Sequence, residues 1–370
     1  MKKIYLTLAL LALLGAVDLS EPACGQASKP AAQASEQPQR KTPQRNLAIL
    51  VFDGVQIIDY TGPFETFGHV WNEEGPVFNI YTVAEKSGPI TTAMGMSVNP
   101  KYTFENAPKP DVLLVPGGGV NKHLDNPNII RWLQEKSKDA EITLSVCNGA
   151  FFLAKAGLLD GMEATTTFGL INKLREDAPK VKVVDDRRFV DNGKIITAAG
   201  LSSGIDGALH VIERLYGKGT AQQAALGMEY NWDPESNFVR AALADKYMQF
   251  NYDVKVLDGG WKPLSREGNK EQWENKWAVA TESSATELLE TINNTITQNK
   301  TYVSVAGVKW ARADNAAHKN ATQSRWRFTD EKGMTWSGIV RVEPVAGAAN
   351  HYTLSVKIAR DKSSARLSGR

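Results

Sequence analysis

Short apolar runs alternate with helix-periodic segments over residues 46–235, and this alternation limits the possible folds more than any other feature. The apolar runs are residues 47–52, 77–84, 112–115 and 142–146. Such runs are typical of parallel strands that are buried on both faces. Helical periodicity marks residues 59–71, 128–138, 149–158, 168–176 and 205–215. The pattern predicts an α/β sandwich with a mostly parallel sheet, which binds ligands at the carboxyl ends of its strands.

The pattern changes after residue 235, and residues 260–370 are predicted to form a smaller α+β domain. Ser284 and Glu287 form a capping box in front of a helix-periodic apolar series. Apolar and polar side chains then alternate, as in half-buried antiparallel strands, at residues 302–308, 324–329, 335–342 and 352–358. Residues 236–259 would be the linker between the two domains. The role of the second domain stays open, and one alternative is that it carries the main activity by binding the cell envelope.

The N-terminus has the pattern of an export signal. Lys2 and Lys3 precede an apolar run of about 14 residues, and small residues follow around Ala27. The run is shorter than the ~20 residues that a membrane-spanning helix needs. Residues 1–27 are therefore predicted to be a cleavable signal peptide, and the mature protein to be periplasmic or secreted without a transmembrane segment. Residues 28–45 are rich in Pro, Gln and Ala and predict a flexible linker.

Two other interpretations of the N-terminus stay open. One is an uncleaved membrane anchor. The other is a lipoprotein attached through Cys24, which the residues Glu21 and Pro22 make less favourable because a lipid-attachment motif has Leu and a small residue there.

Composition and charge exclude several classes of protein. With 42% hydrophobic and 23% charged residues, the chain has a globular composition. A formal net charge of +2 does not predict nucleic-acid binding, and no nucleic-acid partner is expected. The partner expected at the carboxyl ends of the strands is a small molecule. Two cysteines do not make a disulfide scaffold, and cleavage after Ala27 leaves Cys147 alone. No cluster with metal-ligand spacing is present in the second domain, and neither a metal nor a cofactor is predicted.

Cys147 lies where a strand passes into a helix. The apolar run of residues 142–146 ends at Cys147, Asn148 and Gly149 make a turn, and a helix begins. A nucleophile at such an elbow projects from the carboxyl edge of the sheet. The positive end of the helix dipole is expected to lower the pKa of the thiol there. The alternative is a buried, inert core cysteine.

Two further segments are expected at the same edge of the sheet. The glycine triplet after residues 112–115 offers the Gly118 N–H, which is expected to hold a developing negative charge together with the Asn148 N–H. Asp59 opens the first helix and either caps it or supplies acid–base chemistry to the thiol. Two accessory candidates are Glu65, which faces either the cleft or water, and His123, which follows the glycine loop.

Four sequence blocks together resemble the ThiJ/PfpI family of the class I glutamine-amidotransferase-like superfamily. They are LAILVFDGVQIIDYTGPFETF, DVLLVPGGG, SVCNGAFFLAKAGLLDGMEATTT and RFVDNGKIITAAGLSSGIDGALHVIERLYG, within residues 46–232. Within this family the chain looks like isonitrile hydratase and the amidase-like sensor domains of transcription regulators. The resemblance implies a flavodoxin-like three-layer sandwich, an elbow nucleophile at Cys147, an oxyanion hole of Gly118 and Asn148, and a homodimer. It also implies that Asp59 contacts the cysteine and helps to add water across a carbon–nitrogen triple bond.

The chain departs from the family pattern at two positions. PfpI-type proteases have a histidine directly after the cysteine, where this chain has Asn148, so a protease triad is not expected. Many relatives have a histidine where this chain has Thr167. The sequence therefore predicts an exported, cysteine-dependent hydratase or hydrolase for a small carbon–nitrogen substrate. The alternative is a non-catalytic ligand or redox sensor that uses the same cysteine.

Overall fold

The described part of the chain contains two large β-sheets with flanking helices. The computed structural model describes residues 43–236, 238–248, 261–298, 306–314 and 321–361. The predicted signal peptide and residues 28–42 of the predicted linker lie outside this part. Residues 42–370 form one compact unit.

Seven strands form the first sheet. They are β1 (Arg45–Leu50), β2 (Phe78–Ala84), β3 (Tyr102–Thr103), β4 (Val112–Val115), β5 (Ile142–Val146), β6 (Phe189–Asp191) and β7 (Ile195–Ala198). Their order in space is β6-β7-β5-β4-β1-β2-β3. Every neighbouring pair is parallel except β6 with β7. The central strands β4 and β5 are buried along their whole length, because helices cover both of their faces.

Six helices flank this sheet. They are α1 (Ile57–Gly68), α2 (Pro127–Asp139), α3 (Gly149–Lys155), α4 (Ile171–Asp177), α5 (Ser203–Tyr216) and α6 (Lys218–Gly227). Helices α1, α5 and α6 contact one another, and α2 contacts α3. The side chain of Asn126 accepts from the Asn128 N–H at 3.0 Å and caps α2, whose first residue is proline. The predicted α/β sandwich with a mostly parallel sheet is confirmed.

Short elements fill the connections. Two-residue ladders pair Trp71–Asn72 with Gly75–Pro76, Ile90–Thr91 with Ser97–Val98, and Glu163–Ala164 with Lys182–Val183. Single turns of 3₁₀ helix cover Val120–Lys122, Phe168–Leu170, Arg240–Ala242 and Ala244–Tyr247. Within the described ranges, no helix is both long and apolar enough to cross a membrane.

The second sheet is antiparallel, as the sequence predicts, but larger. Its strands are β8 (Trp261–Gly268), β9 (Gln272–Ala280), β10 (Ala311–Arg312), β11 (Gln323–Thr329), β12 (Thr335–Pro344) and β13 (His351–Arg360). Their order is β8-β9-β13-β12-β11-β10. Sequence analysis missed the β8–β9 hairpin. Of the predicted strand over residues 302–308, the first four lie outside the described part and the rest are not in a strand.

Helix α7 (Ala285–Gln298) packs on β11 and β12 of this sheet. Its predicted capping box is present: the Ser284 N–H and hydroxyl both donate to Glu287 Oε2 at 2.8 Å, and the Glu287 N–H donates to Ser284 Oγ at 3.3 Å. Trp326 and Trp336 are the largest fully buried side chains of the second core. Ala244, Tyr247 and Met248, which lie in the segment predicted as a linker, are buried in that core too.

Candidate active site

Cys147 follows β5 directly and adopts the left-handed conformation, with φ of 59°. This conformation is uncommon for a non-glycine residue and turns the chain sharply before α3. The Cys147 N–H donates to the carbonyls of Ala198 and Ala199 at 3.1 and 3.0 Å, and the Thr166 hydroxyl donates to the Cys147 carbonyl at 2.8 Å. The predicted elbow is therefore present, and hydrogen bonds from two other segments hold it in place.

The glycine loop after β4 comes very close to this elbow. A Cβ atom on Gly117 would lie 2.9 Å from the Cβ of Cys147 and 2.2 Å from the Oδ1 of Asn148. A Cβ atom on Gly149, at the start of α3, would lie 2.2 Å from the Val115 carbonyl oxygen. These positions require glycine, because any side chain would push the loop away from the cysteine.

Asp59 lies in the first turn of α1 and is fully buried. It does not cap its own helix: the Gly117 N–H donates to Oδ2 and the Leu201 N–H donates to Oδ1, each at 3.2 Å. Its carboxyl group also interacts with the thiol of Cys147. Helix α1 comes close to α5 at Gly62, where a Cβ atom would lie 3.1 Å from the Ile205 side chain. One carboxyl group thus joins the loops after β4 and β7 to the elbow cysteine.

The pKa values of this pair are shifted by their burial. Burial raises the pKa of Asp59 to about 6, although the thiol and the two backbone N–H groups act in the opposite direction. Burial and the neighbouring Asp59 charge raise the pKa of Cys147 to about 12, against hydrogen bonds from the Asn148 N–H and the Thr167 hydroxyl. The expectation of a lowered thiol pKa is wrong, because desolvation and a nearby carboxylate outweigh the helix terminus. At neutral pH the pair is a thiol beside a carboxylate.

Asn148 uses its side chain to fix the glycine loop. The Gly118 N–H donates to Asn148 Oδ1 at 2.7 Å, and Asn148 Nδ2 donates to the Gly118 carbonyl at 2.8 Å. Gly118 has φ of 120° and is also close to the first loop, where a Cβ atom would lie 2.3 Å from the Gly54 carbonyl oxygen. The two donors predicted for an oxyanion are therefore engaged: the Gly118 N–H by an amide oxygen and the Asn148 N–H by the cysteine.

The two accessory candidates make contacts of their own. Glu65 is exposed, and its carboxylate lies 3.7 Å from the Nδ1 of His69, which directly follows α1. His123 packs edge-on against Phe52, and its Nε2 lies 2.8 Å from the Asp53 carbonyl oxygen. Neither contact involves the thiol. Within the described ranges, no group of three or more His, Cys, Asp or Glu residues is placed to hold a metal ion.

Two residues at the site were not predicted from the sequence. Thr167 stood out only as the residue that replaces a family histidine, and its hydroxyl hydrogen bonds with Cys147. Leu201 has φ of 56° and presents its N–H to Asp59. A left-handed leucine leaves no signal in composition or periodicity, so sequence reasoning had no means of finding it.

Comparisons with known proteins match the first sheet and its helices. The model of the DJ-1/PfpI family matches residues 45–214. Isonitrile hydratase of Pseudomonas putida is 33% identical over 185 residues, which are 50% of this chain and 78% of the hydratase. The HTH-type transcriptional regulator CdhR of Pseudomonas aeruginosa is 27% identical over 177 residues, which are 48% of this chain and 52% of the regulator.

Solved structures are similar to about half of the chain. A ThiJ/PfpI family protein from Pseudomonas syringae superposes with a TM-score of 0.47 at 28% identity, covering 57% of this chain and 85% of the other. DJ-1beta of Drosophila melanogaster superposes with a TM-score of 0.45 at 18% identity, covering 51% of this chain and all of the other. The family match contains Asp59 and Cys147 and ends before the second sheet.

Proposed function

Because the chain belongs to the DJ-1/PfpI family, we propose that its family domain is a thiol-dependent hydratase for a small carbon–nitrogen substrate of the isonitrile type. The nucleophile is Cys147 and the acid–base group is Asp59. The observation that carries this proposal is the fully buried carboxyl group of Asp59, which the N–H groups of Gly117 and Leu201 hold beside the elbow thiol.

The shifted pKa values suit general-base catalysis. With a pKa of about 6, Asp59 is mostly ionised at pH 7 and still basic enough to accept a proton. With a pKa of about 12, Cys147 keeps its proton until an electrophile arrives. The thiol therefore loses its proton to the carboxylate as the sulfur attacks, so no free thiolate is needed beforehand.

The reaction takes place in two steps. In the first, the sulfur bonds to the terminal carbon of the isonitrile while Asp59 takes the thiol proton and passes it to the same carbon, which gives a thioimidate. In the second, water adds to that carbon, the carbon–sulfur bond breaks, and protons return to the sulfur and the nitrogen. The products are an N-substituted formamide and the free Cys147 thiol.

The engaged backbone donors favour this substrate class over amides. Amide hydrolysis develops an oxyanion in its first step and needs donors that are free to stabilise it. Here the Gly118 N–H is bonded to Asn148, and the Asn148 N–H is bonded to Cys147. Addition of a thiol to an isonitrile forms no oxyanion and needs a proton carrier instead, which Asp59 supplies.

The test is turnover of a panel of small isonitriles, nitriles and amides, with formamide production followed by NMR. We expect isonitrile turnover, its loss in Cys147→Ala, and a loss of at least about a hundredfold in Asp59→Asn. Glu65→Gln is the matched control, because Glu65 is an exposed carboxylate on the same helix that pairs with His69. Full activity in Cys147→Ala, or no isonitrile turnover at all, would rule out the proposal.

A ligand sensor is the second candidate. It is favoured by the low exposure of Cys147, which is 9%, together with its raised pKa. The similarity to a transcriptional regulator supports it as well. A ligand sensor would bind a small molecule without turning it over. Oxidation of Cys147 by peroxide is not expected, because a shielded thiol that keeps its proton reacts slowly with oxidants. Calorimetry with the compounds of the turnover panel separates binding without turnover from catalysis.

We also propose that the protein is exported and works as a homodimer through its family domain. Export is supported by the signal-like pattern of residues 1–27. Dimerisation is supported by Ile58 and Phe64 of α1, large apolar side chains that are 36% and 39% exposed. The mass of the chain recovered after export, and light scattering of the purified protein, test these two proposals.

A further inference from the structure

Threonine hydroxyl groups connect the elbow cysteine to residues 166–168. The Thr166 hydroxyl donates to the Cys147 carbonyl at 2.8 Å, and the neighbouring Thr167 hydroxyl interacts with the thiol of Cys147. Thr167 has little room to move, because a Cβ atom on Gly200 would lie 2.6 Å from its Oγ1. The position of the Thr167 hydroxyl relative to the Cys147 sulfur therefore depends on the position of Phe168, the next residue.

That segment is held by an arginine from outside the family domain. Phe168 directly follows Thr167, and the guanidinium carbon of Arg240 lies 4.0 Å from the centre of its ring. At this distance the cation and the aromatic face attract each other. Arg240 is itself fixed by a two-pronged ion pair with Asp245, with N–O distances of 2.6 and 2.5 Å.

The residues around Asp245 belong to the second domain. Ala244 and Tyr247 are buried in its core, and the indole of Trp310 donates to the Tyr247 carbonyl at 3.0 Å. Lys246 lies 3.0 Å from Glu331 of the second domain and 3.5 Å from Asp185 of the family domain. The side chain of Arg240 is therefore fixed by the core of one domain while its charged end contacts the other.

We propose that Arg240 is a positioning residue for the elbow: by stacking on Phe168 it keeps the Thr167 hydroxyl directed at the sulfur of Cys147. The family match ends at residue 214, so this contact comes from a part of the chain that the family domain does not supply. In the part of the chain that the structure describes, the second domain thus acts on the thiol site through the contact of Arg240 with Phe168. The inference rests on the proposed use of Cys147 as the reactive group.

The hydroxyl matters because it is a donor to the sulfur. A thiolate that accepts a hydrogen bond is more stable than one that does not, and one such bond to a charged group changes an equilibrium by about tenfold. Between pH 8 and 10, well below the raised pKa of Cys147, loss of the bond is expected to reduce the thiolate fraction by that factor. Loss of the Arg240 contact is expected to reduce it by about three- to tenfold, because Thr167 would then adopt other orientations.

The experiment measures the rate of alkylation of Cys147 by iodoacetamide between pH 8 and 10, in the full chain with Cys24→Ser. We expect slower alkylation in Thr167→Val, in Arg240→Ala and in Phe168→Leu. The Arg240→Ala effect should vanish when Thr167→Val is already present, because both changes remove the same hydrogen bond. Arg327→Ala is the matched control, since Arg327 is an exposed arginine of β11 in the second sheet.

Two results would overturn the proposal. The first is unchanged or faster alkylation in Arg240→Ala, and the second is an Arg240→Ala effect that adds in full to that of Thr167→Val. If Arg240→Ala fails to fold, Phe168→Leu gives the answer, because it leaves the ion pair with Asp245 intact. Alkylation needs no substrate, so a slower rate in a protein that turns over no isonitrile would refute the proposed function and leave this inference standing.

Discussion

Replacing Asp59 by asparagine should change how the free energy of unfolding depends on pH. The folded protein raises the pKa of this carboxyl group from 3.8 to about 6, so the folded state binds the proton more tightly than the unfolded chain. The stability that this provides is fully present below pH 3.8 and is lost as the pH rises through 6. At 1.36 kcal/mol for each pH unit, the whole effect is about 3 kcal/mol.

Between pH 4 and pH 7, the protein with Asp59 should lose about 2.5 kcal/mol of unfolding free energy relative to Asp59→Asn. In Asp59→Asn, an NH2 group also replaces a carboxylate oxygen that accepts a backbone N–H. This change lowers the free energy of unfolding by about 1–3 kcal/mol at every pH, so it shifts the curve of the variant without changing its slope. Only the difference in slope therefore measures the buried charge. Cys147 does not interfere, because its raised pKa of about 12 lies far above this range.

Urea unfolding at half-unit pH steps, followed by circular dichroism, measures both curves. Asp53→Asn is the control, because it makes the same carboxylate-to-amide change at an exposed position. Parallel curves for the parent and Asp59→Asn between pH 4 and pH 7 would refute the argument that burial raises the pKa of Asp59.

Three further outcomes are expected. The kcat/KM for an isonitrile should rise with pH around a midpoint near 6, because Asp59 must be ionised to accept the Cys147 proton, and a flat profile from pH 5 to 7 would contradict this. Gly117→Ala should lower turnover about a hundredfold, because its Cβ would lie 2.9 Å from that of Cys147, whereas Gly169→Ala, with open space around it, should not. Ser284→Ala should lower the free energy of unfolding of the second domain by about 1 kcal/mol in urea titrations, and an unchanged midpoint would show that the capping box is not stabilising.

The buried centre of the first sheet could be predicted from the sequence because burial on both faces leaves a direct signal. Strands β4 and β5 have the bounds that their apolar runs predict, and Cys147 lies at the elbow where β5 ends. Helix α7 could also be predicted, because a capping box is a local pattern between Ser284 and Glu287. Each of these features is determined by residues that are close together in the chain.

The β8–β9 hairpin was missed because β8 is an edge strand. Its side chains are mostly exposed, and Pro263 sits within it, so it shows neither an apolar run nor a regular alternation. The β-bulge between Pro263 and Ser265 interrupts the pairing as well. A strand that is stabilised mainly by backbone hydrogen bonds to its neighbour needs no hydrophobic pattern, so it cannot be predicted from one.

The electrostatics of the site depend on contacts between distant parts of the chain. The position of Cys147 at a helix terminus predicts a lowered pKa, but the opposite direction follows once Asp59 lies beside it and both are buried. The use of the Asn148 side chain on Gly118 likewise depends on how closely two loops approach. Such distances arise only from the folded structure, so the motif alone located the elbow cysteine but predicted the wrong direction for its pKa.

The shielded position of Cys147 has a practical consequence for laboratories that survey reactive cysteines across whole proteomes. Such surveys use bulky, tagged electrophiles that favour accessible, ionised sulfur, and Cys147 is 9% exposed and holds its proton. We therefore expect such surveys not to label Cys147. Compact, uncharged reagents that fit beside Gly117 are the appropriate tools for detecting it.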